Sequence, residues 1–271
     1  MSEKIKLIYI AGSGHCGSTL LDLIIGSAPD VFSVGELSFY NIYRDGQIYN
    51  KKNPSYVCTC KNPFNRCPFW KEINQKADFK IKKRYSLKEN LSIVAKIIFG
   101  INSNSIKDDS PDILEEVLKE AKKQKPETNI ILDSSKDPRR LYMLLNDPRI
   151  EILPVLLKRE GFKVAMSYNN KNRPIKYGIE RKNFLSSYVL RWWLVNLLCV
   201  FLLKNKRNTI KIIYERFCKD PTYYVKLINK RFGVHIDERG YLKKLNGQTY
   251  HNIDGNRLRF KKIESIKADG T

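Results

Sequence analysis

Residues 4–25 constrain the fold more than any other stretch. Lys4 to Ala11 (KIKLIYIA) is an apolar, β-rich run, which predicts a strand buried on both faces of a parallel sheet. It enters Gly12-Ser13-Gly14-His15-Cys16-Gly17-Ser18-Thr19 directly, and Leu20 to Ile25 reads as helix. Strand, glycine-rich turn and helix in that order place backbone N–H groups at a helix N-terminus, where an anion is favoured. Compared with the phosphate-loop pattern G-x-x-x-x-G-K-[ST], Gly12, Gly17 and Thr19 sit in register, but Ser18 holds the lysine position. That lysine would reach the β- and γ-phosphates of a triphosphate. No strand-end acidic residue reads as a magnesium ligand. The turn is therefore a phosphate cradle poorly equipped for nucleoside triphosphate chemistry.

The rest of the chain continues the alternation. Val31 to Val34, Asn129 to Leu132, Glu151 to Leu157 and Thr209 to Tyr214 read as strands. Leu87–Phe99, Pro111–Lys123, Arg139–Leu145, a helix beginning at Val164–Tyr168, Phe184–Lys204 and Tyr223–Phe232 read as helices. The expected class is α/β, a three-layer α/β/α sandwich of phosphate-loop type around a central, mostly parallel sheet. One domain is expected over residues 1–271, with an irregular Cys- and Pro-containing insertion at about 44–84. The segment after Phe232 reads as loop-rich and basic. The polar motifs all follow strand ends, the edge where open α/β sheets hold ligands.

Composition sharpens the class of ligand. The 271 residues carry 50 Lys+Arg against 28 Asp+Glu, a formal charge of +22. Hydrophobic residues make up 42%, so this charge sits on a folded body. Such a body attracts anions: a nucleotide, nucleic acid, an acidic glycan or a membrane surface at its periphery. A lysine-rich composition serving solubility accounts for the same number. Neither aromatic-interleaved basic strands nor a helix-turn-helix is present, so no specific nucleic-acid partner is expected.

No stretch reads as a secretory signal. The apolar run Trp192–Leu203 is about a dozen residues, short of the roughly 20 of a membrane span, and predicts a buried helix. The Trp192-Trp193 pair is accordingly expected in the core. These features suggest a cytoplasmic protein with reduced thiols. Of six cysteines, Cys58, Cys60 and Cys67 cluster, one thiol short of a four-cysteine zinc site. A distant fourth ligand and a local disulfide both stay open.

The full string GSGHCGSTLL, with Gly35-Glu36 after the second strand, resembles the 5′-phosphosulfate loop of sulfotransferases that use 3′-phosphoadenosine 5′-phosphosulfate (PAPS). Further matches fall in that family's order. Asp133-Ser134-Ser135-Lys136 resembles the strand-end motif whose lysine approaches the sulfuryl group. Arg159 and Ser167, eight residues apart, resemble the 3′-phosphate site, and Tyr214-Glu215 the late strand-end pair. His251 to Arg257 (HNIDGNR) resembles the C-terminal loop of bacterial members, as does the cysteine pattern ending in Pro68-Phe69-Trp70. The matches run from Gly12 to Arg259. Two positions depart: His15 stands where the loop usually has Lys or Arg, and Glu160 where Asp is usual.

The resemblance implies a transferase with PAPS as donor, adenosine 3′,5′-bisphosphate (PAP) as product and no metal. It implies that Gly14, His15, Cys16, Gly17, Ser18 and Thr19 hold the 5′-phosphosulfate. Arg159 and Ser167 would hold the 3′-phosphate, and Gly255, Asn256 and Arg257 would cover the nucleotide. His15 and Lys136 would stabilise charge on the sulfuryl group, and Glu36, at the end of the second strand, is the candidate general base for the acceptor. The bland alternatives are a helix-terminal or salt-bridged Glu36, a helix-capping Lys136 and a surface Arg159. Glu215 is expected to be structural, and His251 to lie nearer the ligand than His235. The acceptor, a carbohydrate, peptide, lipid or small alcohol, is not readable. The expected shapers of its pocket are Arg44–Ser110 and Tyr168–Asn183. Rival readings are a phosphate-loop kinase and a basic nucleic-acid-binding protein.

Overall fold

The computed structural model describes residues 3–46, 57–83, 85–101, 108–169 and 185–267. Five strands form its sheet: β1 (Ile5–Ala11), β2 (Val31–Gly35), β3 (Ile130–Lys136), β4 (Ile150–Lys158) and β5 (Ile210–Ile213). They lie in the order β2-β3-β1-β4-β5, and every pair is parallel. β1 is central, which is why Leu7 to Ala11 are fully buried and no polar residue interrupts them. Its alternate side chains feed two cores. Ile8 and Ile10 pack with α1 (Ser18–Gly26), α10 (Pro221–Phe232) and α11 (Tyr241–Gly247). Leu7, Tyr9 and Ala11 pack with α3 (Pro68–Lys76), α5 (Ser110–Gln124), α6 (Pro138–Leu145) and α8 (Leu185–Leu203). The result is the expected three-layer α/β/α arrangement.

From β1 the chain crosses over β3 to reach β2, whereas β4 lies on the other flank of β1. In open α/β sheets such a reversal is where the ligand crevice lies at the carboxyl edge, and β1, β2 and β3 deliver their motifs to that edge. β3 continues past the expected Leu132 to Lys136, so the Asp-Ser-Ser-Lys motif is strand rather than loop. Its pairing with β1 shifts between Tyr9 and Ala11, and Ala11 ends opposite Lys136. Asp137 then caps α6 by accepting from the Arg139 N–H at 2.9 Å, with Pro138 at the first helical position.

Several expectations need correcting. The region from 44 to 84 is not irregular throughout: α3 buries Phe69, Trp70 and Ile73 against the sheet layer. Residues 47–56 and 84 of that region, 102–107, and 170–183 of the expected pocket segment lie outside the described residues. α11 is a helix where loop was expected, and α2 (Tyr40–Arg44) is a short helix in a stretch that carried no expectation. α8 is not a buried helix. It has 19 residues, long and apolar enough to cross a membrane by length and composition, yet only Tyr188, Asn196, Cys199 and Leu203 are buried. Val189, Leu190, Leu194 and Val200 are exposed. Trp193 is 51% exposed and Trp192 half-buried, so the pair is not core. Apolar residues run all around α8, so no polar face marked in the sequence which side would be exposed.

Candidate active site

The glycine-rich turn between β1 and α1 is shaped by steric need. Gly12 has φ 147°, and a Cβ there would sit 2.3 Å from the Leu157 carbonyl oxygen of β4. Gly17 has φ 94°, and a Cβ there would meet the Tyr214 ring at 2.1 Å. Both are conformations that only glycine adopts without cost. Gly17 precedes α1 without any side-chain cap, so the first N–H groups of that helix stay available to an anion. Ser13 Oγ is buried in the turn with no hydrogen-bond partner among the described residues. Ser18 is buried behind it and Thr19 half-buried. Burial pushes the Cys16 thiol above its ordinary value, and the nearby Lys136 cation works against that.

His15 is the meeting point of the site's far side. Its backbone has φ 64°, an uncommon value for a residue with a side chain. Its Nδ1 lies 3.1 Å from Ser167 Oγ, and its ring packs at 4.0 Å on Tyr168. Its carbonyl accepts a 3.0 Å hydrogen bond from Arg159 Nη1. Arg159 follows β4, is 7% exposed, and lies over the Tyr214 ring at 4.9 Å. Ser167 and Tyr168 belong to α7 (Gly161–Asn169). Thus Arg159 and Ser167 are brought together on the turn, 144 and 152 residues from His15 in sequence. Trp192 adds a 3.0 Å hydrogen bond from Nε1 to the Arg159 carbonyl, which places this tryptophan beside the site rather than in the core.

On the near side, Lys136 also has positive φ, 64°. Its Nζ lies 2.7 Å from Glu36 Oε1 and donates to the Ser134 carbonyl at 2.8 Å. Burial alone would lower the Lys136 pKa, but the Glu36 carboxylate and its neighbours outweigh it and hold the group above the ordinary lysine value. Lys136 is therefore charged at neutral pH. Glu36 and Lys136 form one ion pair rather than two independent groups, the salt-bridge alternative for Glu36. Lys83 was not singled out in the sequence. It crosses the Phe39 ring at 3.9 Å and donates to Ser38 Oγ at 2.9 Å. Burial lowers its pKa in spite of Asp137 and Glu36 nearby.

The C-terminal loop closes the edge. Ile253 bridges Gly35 in parallel register, its N–H donating to Val34 O and its carbonyl accepting from Glu36 N, each at 2.8 Å. The Asn256 N–H donates to Thr19 Oγ1 at 3.0 Å, and Gly255 lies against the same threonine. Arg257 is exposed. Glu215 accepts from the Glu160 N–H at 3.1 Å and so ties α9 (Tyr214–Lys219) to the start of α7. His235 pairs with Asp30 at 3.0 Å, away from these residues. His251 lies against Cys58 and Cys67.

Asp22 on α1 underpins this loop. Its Oδ1 accepts from Ser33 Oγ at 2.6 Å and Asn252 Nδ2 at 2.8 Å. Burial raises its pKa from an ordinary 3.8 to about 6, against hydrogen bonds from Ser134, Ser33 and Asn252 and the Lys136 charge. The folded protein therefore binds a proton here more tightly than the unfolded chain. That contribution to stability is present below about pH 4 and is lost as pH rises through about 6. Asp22→Asn should raise stability at pH 7.5 by on the order of 1–3 kcal/mol and flatten its pH dependence between 4 and 6. Thermal unfolding across that range checks it, and an unaltered pH slope contradicts it.

No protein-family model and no curated protein sequence matches the chain. Solved structures do resemble its fold. The sulfotransferase domain of an olefin synthase from Synechococcus PCC 7002 superposes with a TM-score of 0.60 at 15% identity. The alignment covers 98% of this chain and 86% of that domain. The sulfotransferase domain of the curacin biosynthetic pathway superposes with a TM-score of 0.52 at 14% identity, covering 96% and 83%. This chain thus has the α/β fold of those domains.

Proposed function

We propose that this chain transfers a sulfuryl group from PAPS to a hydroxyl or amine of an acceptor. The observation that carries the reading is the convergence on one turn of an uncapped helix N-terminus, the Arg159–Ser167 pair and the Lys136–Glu36 pair. A nucleotide that carries anionic groups on both the 5′ and the 3′ oxygens of its ribose calls for more than one cationic contact, and Arg159 and Lys136 are the cations this reading assigns to them. The sulfotransferase domains that share the fold support the same reading.

In this reading the N–H groups of residues 14–19, with the Ser18 and Thr19 hydroxyls, hold the 5′-phosphosulfate. Arg159 and Ser167 take the 3′-phosphate by charge-assisted hydrogen bonds. Gly255, Asn256 and the exposed Arg257 cover the nucleotide from the C-terminal loop. The acceptor oxygen or nitrogen attacks sulfur as the bond from sulfur to the 5′-phosphate oxygen breaks, and PAP leaves with that electron pair. Lys136 and His15 meet the charge that develops on the departing oxygen. Glu36 takes the proton from the acceptor. Protein cations neutralise the charge, so no metal takes part in the transfer.

The ion pair gives the sequence of events a physical form. While Glu36 holds Lys136, each neutralises the other. An incoming phosphosulfate competes for the ammonium and leaves Glu36 as an unpartnered carboxylate beside the acceptor position. Labelled PAPS incubated with an acceptor panel tests the reading. Wild type should form PAP with labelled product, and Glu36→Gln should lose about 10²–10⁴-fold in turnover with nucleotide affinity retained. Unchanged turnover in Glu36→Gln removes it as the base. Absence of PAP formation with PAPS bound leaves the chain a nucleotide-binding protein instead.

A further inference from the structure

We propose that Cys58, Cys60, Cys67 and His251 bind one zinc ion, in a thiolate–imidazole site that clasps the C-terminal loop to the 57–67 turn. This goes beyond the transfer reaction and does not rest on it.

The three cysteines come from a tight turn. The Lys61 N–H donates to Cys58 O at 2.8 Å, the Cys58 N–H donates to Asn62 O at 3.0 Å, and Val57 bridges Pro63. Lys61 takes positive φ, 69°, to let the chain reverse. Cys67 follows at the start of α3. The fourth group arrives from 184 residues away: His251 Nδ1 lies 3.2 Å from Cys67 Sγ and 3.7 Å from Cys58 Sγ. The sulfurs of Cys67 and Cys58 are 3.5 Å apart, and those of Cys67 and Cys60 are 3.6 Å apart. All four donor atoms lie within 4.8 Å of one another.

These separations discriminate between chemistries. A disulfide needs its sulfurs about 2.05 Å apart. Tetrahedral zinc, with bonds of about 2.3 Å to sulfur and about 2.0–2.1 Å to nitrogen, gives sulfur–sulfur edges near ~3.8 Å and sulfur–nitrogen edges near ~3.6 Å. The sulfur–sulfur edges of 3.5 and 3.6 Å run slightly short of the tetrahedral value and the sulfur–nitrogen edges of 3.2 and 3.7 Å straddle theirs, all far longer than a disulfide bond. Four protein ligands and burial of Cys58, Cys67 and His251 describe a closed, structural site rather than a catalytic one.

The surroundings suit such a centre. The Phe69 ring stacks on the His251 ring at 5.3 Å, and Trp70 Nε1 donates to the His251 backbone carbonyl at 2.6 Å, so both the ring and its main chain are held in place. Asn62 Nδ2 reaches Cys60 Sγ at 3.5 Å. Three thiolates and Zn²⁺ leave one net negative charge, and the buried Arg259 guanidinium bonds to residues adjacent to the ligands in sequence. It donates to Val57 O at 2.9 Å and Asn252 O at 2.8 Å, bridging the two segments the metal would join.

His251 precedes the Ile253 bridge to β2 and the Asn256 contact with Thr19. Zinc would therefore fix the loop that meets the glycine-rich turn. The test is metal analysis of untagged full-length protein purified without chelator, with zinc-edge X-ray absorption on the same sample. The expected result is one zinc per chain, with three sulfurs and one nitrogen as nearest neighbours. Cys60→Ser, at the most exposed ligand, should lower zinc affinity by about 10–100-fold or more and raise amide exchange at 251–259. If that variant fails to fold, the wild-type stoichiometry and absorption spectrum decide alone. Substoichiometric zinc, an oxygen-dominated shell, or a disulfide among the three cysteines in the purified protein would overturn the proposal.

Discussion

Lys136→Met is expected to lower sulfuryl-transfer turnover by about 10²–10³-fold, the cost of removing one preorganised charge from the transition state. The ammonium is held at the end of β3 between Ser134 O and Glu36, and it stays protonated across the neutral range. It is thus charged and in place before substrate arrives, and once the donor has drawn it from Glu36 it needs no further reorganisation during the reaction. Methionine keeps the aliphatic stem and meets the same positive φ that lysine already tolerates. The loss should fall on turnover, with donor affinity changed far less, because the nucleotide's proposed anchors are the turn and Arg159. Initial rates with labelled donor, alongside calorimetric affinity for PAP, separate the two effects. A variant with wild-type turnover contradicts the role given to Lys136.

The second large effect is on stability. Arg140 on α6 is fully buried and donates from Nε to Asp133 Oδ2 at 2.9 Å and from Nη1 to Ser110 Oγ at 2.6 Å. Asp133 is equally buried in β3, and its other oxygen accepts from the Ser135 N–H at 2.8 Å. Removing one member of such a pair leaves an uncompensated charge in the interior, so Arg140→Met should cost about 3–5 kcal/mol. Replacing both, with Asp133→Leu, should recover much of that loss. Denaturant unfolding of the two singles and the double measures the coupling. A cost below about 1 kcal/mol for Arg140→Met would mean the Asp133 charge is relieved elsewhere. The first residue of the Asp-Ser-Ser-Lys motif therefore anchors the strand end that presents the last.

The layers of this fold were legible because apolar β-runs alternate with helical periods, and each run is short enough to be a strand. The order of the strands was not, since nothing in Val31–Val34 or Ile130–Leu132 states which lies next to β1. The site divides the same way. His15, Arg159 and Ser167 were found by motif and spacing, and the structure brings them into contact. Glu36 and Lys136 were also found, but their union in one ion pair depends on β2 and β3 being neighbours. Lys83, Asp22 and Arg140 carried no motif. A buried charge announces itself only through partners, and theirs are distant in sequence. His251 shows the same limit: three clustered cysteines left a fourth ligand open, and only the fold brings it from the other end of the chain. For α8, length and apolarity were visible, but the exposure of half its surface was not.

The most direct test of the central claim is calorimetric titration of the full-length protein with adenosine 3′,5′-bisphosphate and, separately, with 5′-AMP. The two ligands differ only in the 3′-phosphate assigned to Arg159 and Ser167. Charge-assisted hydrogen bonds to that group are worth about 1.5–3 kcal/mol, so the bisphosphate should bind roughly 10–150-fold more tightly. Arg159→Ala should erase most of that preference while leaving 5′-AMP affinity little changed. Equal affinity of the wild-type protein for the two nucleotides, or binding of neither, would contradict the assignment of this crevice to a sulfotransferase donor.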